Sequence, residues 1–468
     1  MTGASKTGRM TLLAVTNPAT LEIVGHVPDQ GEAEARKAVD RAAAAAGGWR
    51  DVAPRERAEM LRRVYENLML SRDDLVRLIT AENGKATADA LAEVGYAAEF
   101  FRWFAEEAVR TDGSYGTAPA GGVRSVVTAR PVGIAALVTP WNFPAAMATR
   151  KLAPALAAGC TVVLKPAAET PLTALAIADL VREAGVPGGV VNVVTTTDPA
   201  TVVGAWLADP RVRKVSFTGS TGVGKVLLHQ AADRVLNTSM ELGGNAPFVV
   251  TEDADLPAAV AGAMVAKFRN GGQACTAANR FLVHRDVAGD FVVRLGAEVE
   301  KLSVGAAADG CQIGPLISAA AVSRVRTKVD AAVAAGARIT HRAALPDLPG
   351  HFYPPTVLTD VPPGADLVRE EIFGPVASVL TWSTEADLLA AANDTEYGLA
   401  GYVFAGDLQR AIRLGEALDA GMVGINRGLV SDPSAPFGGV KQSGLGREGA
   451  RDGLREFQET QYLAVDWS

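Results

Sequence analysis

Apolar residues recur every three or four positions through the first part of the chain. This interval places them on one face of a helix, and it predicts amphipathic helices in three stretches. The stretches are residues 34–46, 54–85 and 87–110. Glycine and proline within residues 112–122 interrupt the pattern, and residues 125–130 and 132–139 then favour extended strands that could project from the body of the protein.

From Thr161 onward, short apolar runs alternate with helical ones. Runs such as TVVLK (161–165), VVNVV (190–194) and KVSFTGS (214–220) are typical of strands that are buried on both faces and joined by crossover helices. A second alternation of the same kind begins near Pro247. We therefore expect an α/β protein with two doubly wound α/β lobes and a ligand cleft between them.

Length and composition narrow the class of protein. The chain has 468 residues, enough for two or three domains, and a net charge of −7 without a basic block, which does not favour nucleic acid or a membrane as a partner. No apolar run could span a bilayer or form a secretory signal, so we expect a cytoplasmic protein. The three distant cysteines and five scattered histidines predict neither a disulfide framework nor a metal site.

One glycine-rich turn could hold a phosphate. Residues 219–224, Gly-Ser-Thr-Gly-Val-Gly, follow a predicted strand and open a predicted helix. Glycine lets a ligand approach the backbone, and the N–H groups at the start of a helix attract phosphate. Because the turn is not a G-x-G-x-x-G motif, a plain tight turn remains equally open.

Cys275 is the candidate nucleophile. It follows a helix among small and polar residues, a setting that suits an accessible thiolate. Cys160 is instead typical of a buried strand neighbour, and Cys311 lies in a predicted loop. A single cysteine is more often a core residue, so the interpretation depends on its partners.

A carboxylate is a more economical partner than a histidine, because no histidine lies in a glycine-rich or polar turn. Glu241, predicted to lie in the linker between the lobes, is either a desolvated base or a member of a structural ion pair. Asn142 could donate an amide N–H to an oxyanion or cap the following helix.

Seven motifs, in order, resemble the aldehyde dehydrogenase superfamily over about residues 12–465. They are PWNFP, VLKP, FTGST, MELGGN, FRNGGQACTAANR, EEIFGP and PFGG. The segments NFPAAMATRK, ELGGNAPFVV, KFRNGGQ and APFGGVKQSGLGREG most resemble its succinate-semialdehyde dehydrogenases. The resemblance implies NAD(P)-dependent oxidation of an aldehyde to a carboxylic acid, with succinate semialdehyde as the expected substrate.

The resemblance also implies how the chain is divided. It predicts a Rossmann-like dinucleotide-binding domain, a catalytic domain and a small β oligomerisation arm. Their expected bounds are 1–112 with 132–244, then 245–428, then 113–131 with 455–468, while 429–454 return to the cofactor domain. Exposed strand edges in such an arm normally pair with another subunit, so we expect a homodimer or homotetramer.

By this resemblance Cys275 attacks the aldehyde, and the oxyanion is held by the Asn142 amide and the backbone N–H of Cys275. The thiohemiacetal then becomes a thioester, for whose hydrolysis Glu241 activates water. Ala277 stands where some relatives carry a second cysteine, so no regulatory disulfide is expected.

The resemblance implies nine residues that contact the cofactor. They are Trp141, Lys165, Ala168, Gly219, Ser220, Gly224, Leu242, Glu371 and Phe373. NAD-preferring relatives have a glutamate three residues after the lysine, where this chain has Ala168. Without that carboxylate a 2′-phosphate meets no like charge and can pair with Lys165, so NADP is favoured over NAD. The adjacent Glu169 could take the missing role.

Two arginines suit a substrate with a carboxylate end, because guanidinium groups bind carboxylates bidentately. Arg150 follows Asn142 by eight residues, just over two helical turns, so both can face one pocket, and Arg269 precedes Cys275 by six. The resemblance implies that Ser431 binds the carboxylate end of the substrate together with the two arginines. The alternative substrate is another ω-carboxylated or aliphatic aldehyde, such as glutarate semialdehyde. The alternative classes of protein are a cofactor-independent cysteine acyl hydrolase and a non-catalytic binding protein.

Overall fold

The computed structural model describes residues 11–467. Two predictions lie partly outside these residues. One is the absence of a secretory signal, which depends on the opening segment, and the other is the pair of domain end points at residues 1 and 468. Within the described part, no helix is both long and apolar enough to cross a bilayer.

A hairpin and four helices come first. They are β1 (Leu12–Thr16), β2 (Ile23–Pro28), α1 (Glu32–Asp51), α2 (Pro54–Leu70), α3 (Arg72–Asn83) and α4 (Thr87–Ala108). The first α/β unit and part of a small sheet follow. Their elements are β3 (Gly113–Thr117), β4 (Val123–Pro131), β5 (Ile134–Val138), α5 (Pro144–Ala158), β6 (Thr161–Lys165), α6 (Pro171–Glu183), β7 (Val191–Val193), α7 (Pro199–Ala208), β8 (Val212–Thr218), α8 (Thr221–Ala232) and β9 (Asn237–Glu241).

The second α/β unit starts directly after this point. Its elements are β10 (Ala246–Val250), α9 (Leu256–Phe268), a 3-10 turn (Arg269–Gly272), β11 (Ala278–His284), α10 (Arg285–Glu300), α11 (Ala319–Ala334), β12 (Arg338–Arg342), β13 (Thr356–Thr359), α12 (Asp366–Arg369), β14 (Val376–Trp382), α13 (Glu385–Asn393), β15 (Ala400–Phe404), α14 (Leu408–Glu416) and β16 (Met422–Ile425). The chain then ends with β17 (Gly444–Leu445), α15 (Asp452–Arg455) and β18 (Gln458–Asp466).

These strands form two large sheets, a small one and the β1–β2 hairpin. The six-stranded sheet has the order β17-β9-β8-β5-β6-β7, and the seven-stranded sheet has the order β12-β13-β14-β11-β10-β15-β16. Both are parallel except at one edge, where β17 and β12 run antiparallel to their neighbours. Strands β18, β4 and β3 form an antiparallel sheet. The prediction of two doubly wound α/β lobes with a small β arm is confirmed.

Several local predictions were wrong. Residues 54–85, expected to be one helical stretch, form two helices separated at Ser71. Residues 132–139 do not project, because β5 is buried at every position and pairs with both β6 and β8. Glu241 does not lie in an irregular linker but is the last residue of β9, paired with Thr218 of β8.

Helix α5 is the element that brings the two halves of the site together. All of its 15 residues are buried. It packs against α4 and α2 in the largest apolar cluster, and its first turn follows directly on Asn142. A helix buried on every side has little freedom to shift, so the turn before it is held firmly in place.

Candidate active site

A cavity of about 440 Å³ is lined by residues from the ends of β8 and β9, from α4 and α5, and from the loop after α9. Twelve of the fifteen predicted site residues line it. They are Trp141, Asn142, Arg150, Gly219, Ser220, Glu241, Leu242, Arg269, Cys275, Glu371, Phe373 and Ser431. Lys165, Ala168 and Gly224 are not among the lining residues.

Cys275 is half-buried in a loop that two close backbone approaches hold in place. Gly272 has φ +73°, and a Cβ there would lie 2.3 Å from the carbonyl oxygen of Gly374. A Cβ at Gly244 would lie 2.3 Å from the carbonyl oxygen of Cys275 itself. Only glycine permits these approaches, so the two glycines allow the loop to pack where its thiol meets the cavity.

The surroundings of the thiol decide its protonation. Burial raises the pKa of Cys275 to about 12. The charges of Arg150 and Arg269 favour the thiolate, whereas those of Glu371 and Glu241 oppose it. At neutral pH the thiol is therefore protonated, and it needs a proton acceptor before it can act as a nucleophile.

Asn142 is tied to the cysteine loop and does not cap α5. The N-cap residue is Phe143, without a side-chain cap bond. Asn142 Nδ2 donates to the carbonyl oxygen of Gln273 at 3.0 Å, two residues before Cys275. An amide nitrogen carries two protons, so the second N–H can serve a ligand in the cavity.

Glu241 is almost fully buried, and neither of its carboxyl oxygens has a hydrogen-bond partner within residues 11–467. Burial raises the pKa of Glu241 well above its ordinary value, and the nearby Glu448 carboxylate raises it further. Arg150 and Lys151 act in the opposite direction. A carboxylate with a raised pKa is a stronger base than an ordinary carboxylate, and its two oxygens without hydrogen bonds are free to receive a proton.

Lys151 and Glu448 form a buried network with Arg150 that no sequence pattern had indicated. Lys151 Nζ lies 2.6 Å from Glu448 Oε1, and Arg150 Nε pairs with the other oxygen of the same carboxylate. The Arg150 guanidinium also lies 4.0 Å from the centroid of the Phe437 ring. Two adjacent cations within the apolar helix α5 were a signal that could have predicted a buried acidic partner.

The predicted reason why Arg150 and Asn142 share a pocket, a spacing of two helical turns, was wrong. Both Arg150 and Asn142 line the cavity, but Asn142 precedes α5 and so the spacing of two helical turns is not the reason. The charge of Arg150 is already compensated by Glu448. Arg269 is different, since it is half-buried over the Phe143 ring at 5.3 Å and forms no ion pair within the described part of the chain.

The opposite wall is built by β8, α8 and the turn between them. Ser220 is the N-cap of α8 and makes no side-chain cap bond, so the first N–H groups of the helix stay available to a ligand. A Cβ at Gly219 would lie 2.4 Å from the Phe217 ring. Gly224 serves packing, because a Cβ there would lie 2.4 Å from Leu242. This turn fits a phosphate group.

Glu371 and Phe373 also line the cavity. The backbone N–H of Gly244 donates to Glu371 Oε1 at 3.2 Å, and Lys328 Nζ donates to the carbonyl oxygen of Glu371 at 2.8 Å. Burial raises the pKa of Glu371 to about 7. Phe373 adopts φ +51°, and its ring meets that of Trp141 edge to face at 5.4 Å.

Lys165 is the last residue of β6, and Ala168 lies three residues after it. Lys165 is buried, which lowers its pKa, and the Glu169 carboxylate partly offsets this. Ala168 is half-buried and supplies no carboxylate of its own. Thr218 Oγ1 and Asn142 Oδ1, which line the cavity, are buried without a partner in the described chain. These two polar atoms and the turn at Gly219 and Ser220, which fits a phosphate, together fit a dinucleotide cofactor.

Comparisons with known proteins identify the family of this chain. The sequence profile described as "Aldehyde dehydrogenase family" matches residues 4–463. The chain belongs to the aldehyde dehydrogenase family. It is an NAD(P)-dependent oxidoreductase that acts on aldehydes, and the predicted family and enzyme class are confirmed. A cofactor-independent acyl hydrolase is not favoured.

Three relatives illustrate the similarity. A succinate-semialdehyde dehydrogenase of Paenarthrobacter nicotinovorans is 53% identical, covering 92% of this chain and 96% of its own. The succinate-semialdehyde dehydrogenase [NADP(+)] GabD of Escherichia coli K12 is 49% identical, covering 96% and 94%. The crystal structure of succinate-semialdehyde dehydrogenase from Burkholderia pseudomallei superposes with a TM-score of 0.96 at 48% identity, covering 97% and 95%.

Proposed function

We propose that this dehydrogenase oxidises succinate semialdehyde to succinate through a covalent thioester on Cys275. The observation that carries the proposal is the meeting of Cys275, Glu241 and Asn142 in one cavity with Arg269, a half-buried cation without an ion pair in residues 11–467. All three relatives described above are named for this substrate, and each aligns with this chain over most of its own length.

The first step forms a bond between the Cys275 sulfur and the aldehyde carbon. Because burial keeps the thiol protonated, its proton passes to Glu241, which is the unpartnered carboxylate in the cavity. The carbonyl oxygen becomes an oxyanion held by the free N–H of Asn142 and the backbone N–H of Cys275. One such donor contributes about two to three orders of magnitude in rate.

The cofactor is held by the opposite wall. Gly219 and Ser220 receive the diphosphate, Lys165 the adenosine ribose, and Glu371 the nicotinamide ribose. Trp141, Leu242 and Phe373 shape the remaining surface, and Gly224 supports it through Leu242. When bound, the nicotinamide accepts the hydride that leaves the thiohemiacetal carbon.

Hydrolysis of the thioester returns the enzyme to its starting state. Glu241 first releases the thiol proton to solvent and then takes a proton from water. The water oxygen attacks the acyl carbon, and the Cys275 sulfur leaves and takes that proton from Glu241. The raised pKa of Glu241 makes its carboxylate a stronger base for this proton transfer. Its position at the end of β9 puts the carboxylate in the same cavity as the acyl group.

The carboxylate end of the substrate is bound by Arg269, with Arg150 and Ser431. We assign the larger share to Arg269, because Glu448 already neutralises Arg150. Losing a charge-assisted hydrogen bond to a buried partner costs about 1.5–3 kcal/mol, or about 10- to 100-fold.

The test compares kcat/KM for succinate semialdehyde, glutarate semialdehyde and an uncharged aldehyde of similar length. Arg269→Ala should lose activity on the acids but not on the uncharged aldehyde, while Arg294→Ala, an exposed control on α10, should change neither. Equal losses on charged and uncharged aldehydes would remove the carboxylate clamp. A preference for the five-carbon acid would reassign the substrate.

NADP is the favoured cofactor in this proposal. Ala168 supplies no carboxylate to repel a 2′-phosphate, and the buried Lys165 can pair with it. The name of the Escherichia coli relative, which specifies NADP, supports the same preference. Steady-state kinetics with each nucleotide measures it directly.

The small sheet is proposed to join subunits into a homodimer or homotetramer. Tyr115 of β3 and Tyr462 of β18 are 64% and 57% exposed, and Leu463 is exposed beside them. Apolar side chains on open strand edges are normally covered by a partner. Light scattering of the purified enzyme measures the assembly, and a monomer at micromolar concentration would contradict it.

A further inference from the structure

A buried ion pair lies directly behind Asn142. Lys85 Nζ is 2.6 Å from Glu93 Oε2, and both side chains are fully shielded from solvent. The same ammonium group donates to the backbone carbonyl oxygen of Asn142 at 2.7 Å and lies 4.1 Å from the centroid of the Phe143 ring. Removing two charges from water is costly, so a fully buried pair adds little net stability and calls for another explanation.

Glu93 performs the capping that α5 lacks. The N-cap Phe143 has no side chain able to accept hydrogen bonds from the first turn. Glu93 Oε1, from α4, accepts the backbone N–H of Ala145 at 2.8 Å and that of Ala146 at 3.2 Å. A carboxylate at a helix N-terminus is stabilised by the free N–H groups and by the helix dipole. Glu93 thus fixes where α5 begins, and Asn142 immediately precedes that point.

The same region of α4 also reaches the cysteine loop. Asp89 Oδ2 accepts the backbone N–H of Asn270 at 2.9 Å. Asn270 Nδ2 in turn donates to the carbonyl oxygens of Asn142 at 2.8 Å and Gln273 at 3.1 Å. The carbonyl oxygen of Asn142 therefore has two donors, Lys85 and Asn270, and one face of α4 contacts both sides of the oxyanion site.

We propose that Lys85 and Glu93 are positioning residues that orient Asn142 toward the oxyanion. The inference rests on the proposed function, in which the Asn142 amide donates to that oxyanion. Lys85 holds the Asn142 backbone, Glu93 holds the start of α5, and their ion pair locks the two together. Lys85 is not among the residues that line the cavity, and Glu93, which is, has both carboxylate oxygens engaged by Lys85 and by the first turn of α5.

The test uses two variants, because Lys85→Met alone leaves a buried, unpaired Glu93 and can prevent folding. The double variant Lys85→Met/Glu93→Gln removes both charges and keeps an amide oxygen to cap α5. It should lower kcat/KM for the aldehyde by about 10- to 100-fold, the order expected for a misplaced catalytic group, with the dissociation constant for NADP unchanged. Glu107→Gln is the matched control, since Glu107 is buried on the same helix, pairs with Arg110 at 2.7 Å and does not line the cavity.

The decisive comparison repeats the double variant in an Asn142→Ala background. If the ion pair acts through Asn142, it should cause no further loss there. An equal loss in both backgrounds, or full activity of the double variant, would overturn the inference while leaving the proposed function intact. Full activity of Asn142→Ala itself would overturn the oxyanion role, and the inference with it.

Discussion

The cavity has two walls that are built in different ways. One is the proposed cofactor wall, formed by the end of β8, the turn at Gly219 and Ser220, and α8. The other is the thiol wall, formed by Asn142 and the loop that carries Cys275. On the cofactor wall, Thr218, Gly219 and Ser220 follow one another along the chain, and the regular path from β8 into α8 places them. On the thiol wall, Asn142 and Gln273 meet across 131 positions of sequence and Asp89 and Asn270 across 181. Local geometry shapes the first wall, whereas side chains from distant segments hold the second.

This difference predicts where the enzyme is sensitive. A substitution on the cofactor wall should change mainly which nucleotide binds and how tightly. A substitution on the thiol wall should change the rate of the chemical steps, because a small displacement of the oxyanion donors or of the base lowers the rate steeply.

The largest effect is expected for Glu241→Gln. The amide cannot take the proton of the attacking water, so steady-state turnover should fall by about 100- to 10,000-fold. If another group can accept the thiol proton in the first step, a burst of reduced nucleotide should remain. Stopped-flow absorbance measures both phases, and steady turnover at the wild-type rate would show that another group is the base.

A second prediction compares one glycine from each wall. Gly272→Ala places a Cβ at φ +73° and 2.3 Å from a carbonyl oxygen, whereas at Gly222, in the first turn of α8, a Cβ meets nothing within 4 Å. The thiol-wall variant should lose about 1–3 kcal/mol of stability and most of its activity. Calorimetry without cofactor should show Gly222→Ala near the wild-type Tm, and equal losses in both variants would contradict the comparison.

A third prediction concerns nucleotide choice. Ala168→Glu restores the carboxylate of NAD-preferring relatives and should shift the ratio of kcat/KM values toward NAD by about tenfold through repulsion of the 2′-phosphate. The neutral variant Ala168→Gln, similar in size, separates charge from bulk. If both variants shift the ratio equally, charge is not the cause.

The smallest effect is expected from pH. The pKa of Glu371 is raised to about 7, so its carboxyl group gains charge as the pH rises through that value. The charged form accepts hydrogen bonds from ribose hydroxyls better than the neutral form, so NADP should bind a few-fold more tightly above that pH. Fluorescence titration of NADP measures this, and the pH dependence should disappear in Glu371→Gln.

Sequence reasoning reached the two walls through different signals. The strand, turn and helix around Gly219 follow from apolar periodicity and glycine, which are local signals. Cys275, Glu241 and Asn142 were found through motifs, and the structure brings them to one cavity. Their roles remain predictions until the variants are measured.

What could not be predicted is what surrounds these residues. Nothing local to Lys85 indicates that its ammonium group reaches Asn142, and nothing near Glu448 indicates that it neutralises Arg150. Ser71 is different, because a serine followed by two aspartates in the next turn is a local signal for the start of a helix, and it separates two helices in a continuous amphipathic pattern. Contacts between distant segments depend on how whole helices pack, which no short window of sequence contains.

The most direct test of the account is to look for the acyl group on the cysteine. Wild-type enzyme is mixed with NADP and succinate semialdehyde, quenched in acid within the first turnover, digested and analysed by mass spectrometry. The account predicts a succinyl group on the peptide containing Cys275, in proportion to the reduced nucleotide formed, and none in Cys275→Ser. Reduced nucleotide without a Cys275 adduct, or turnover that survives in Cys275→Ser, would contradict it.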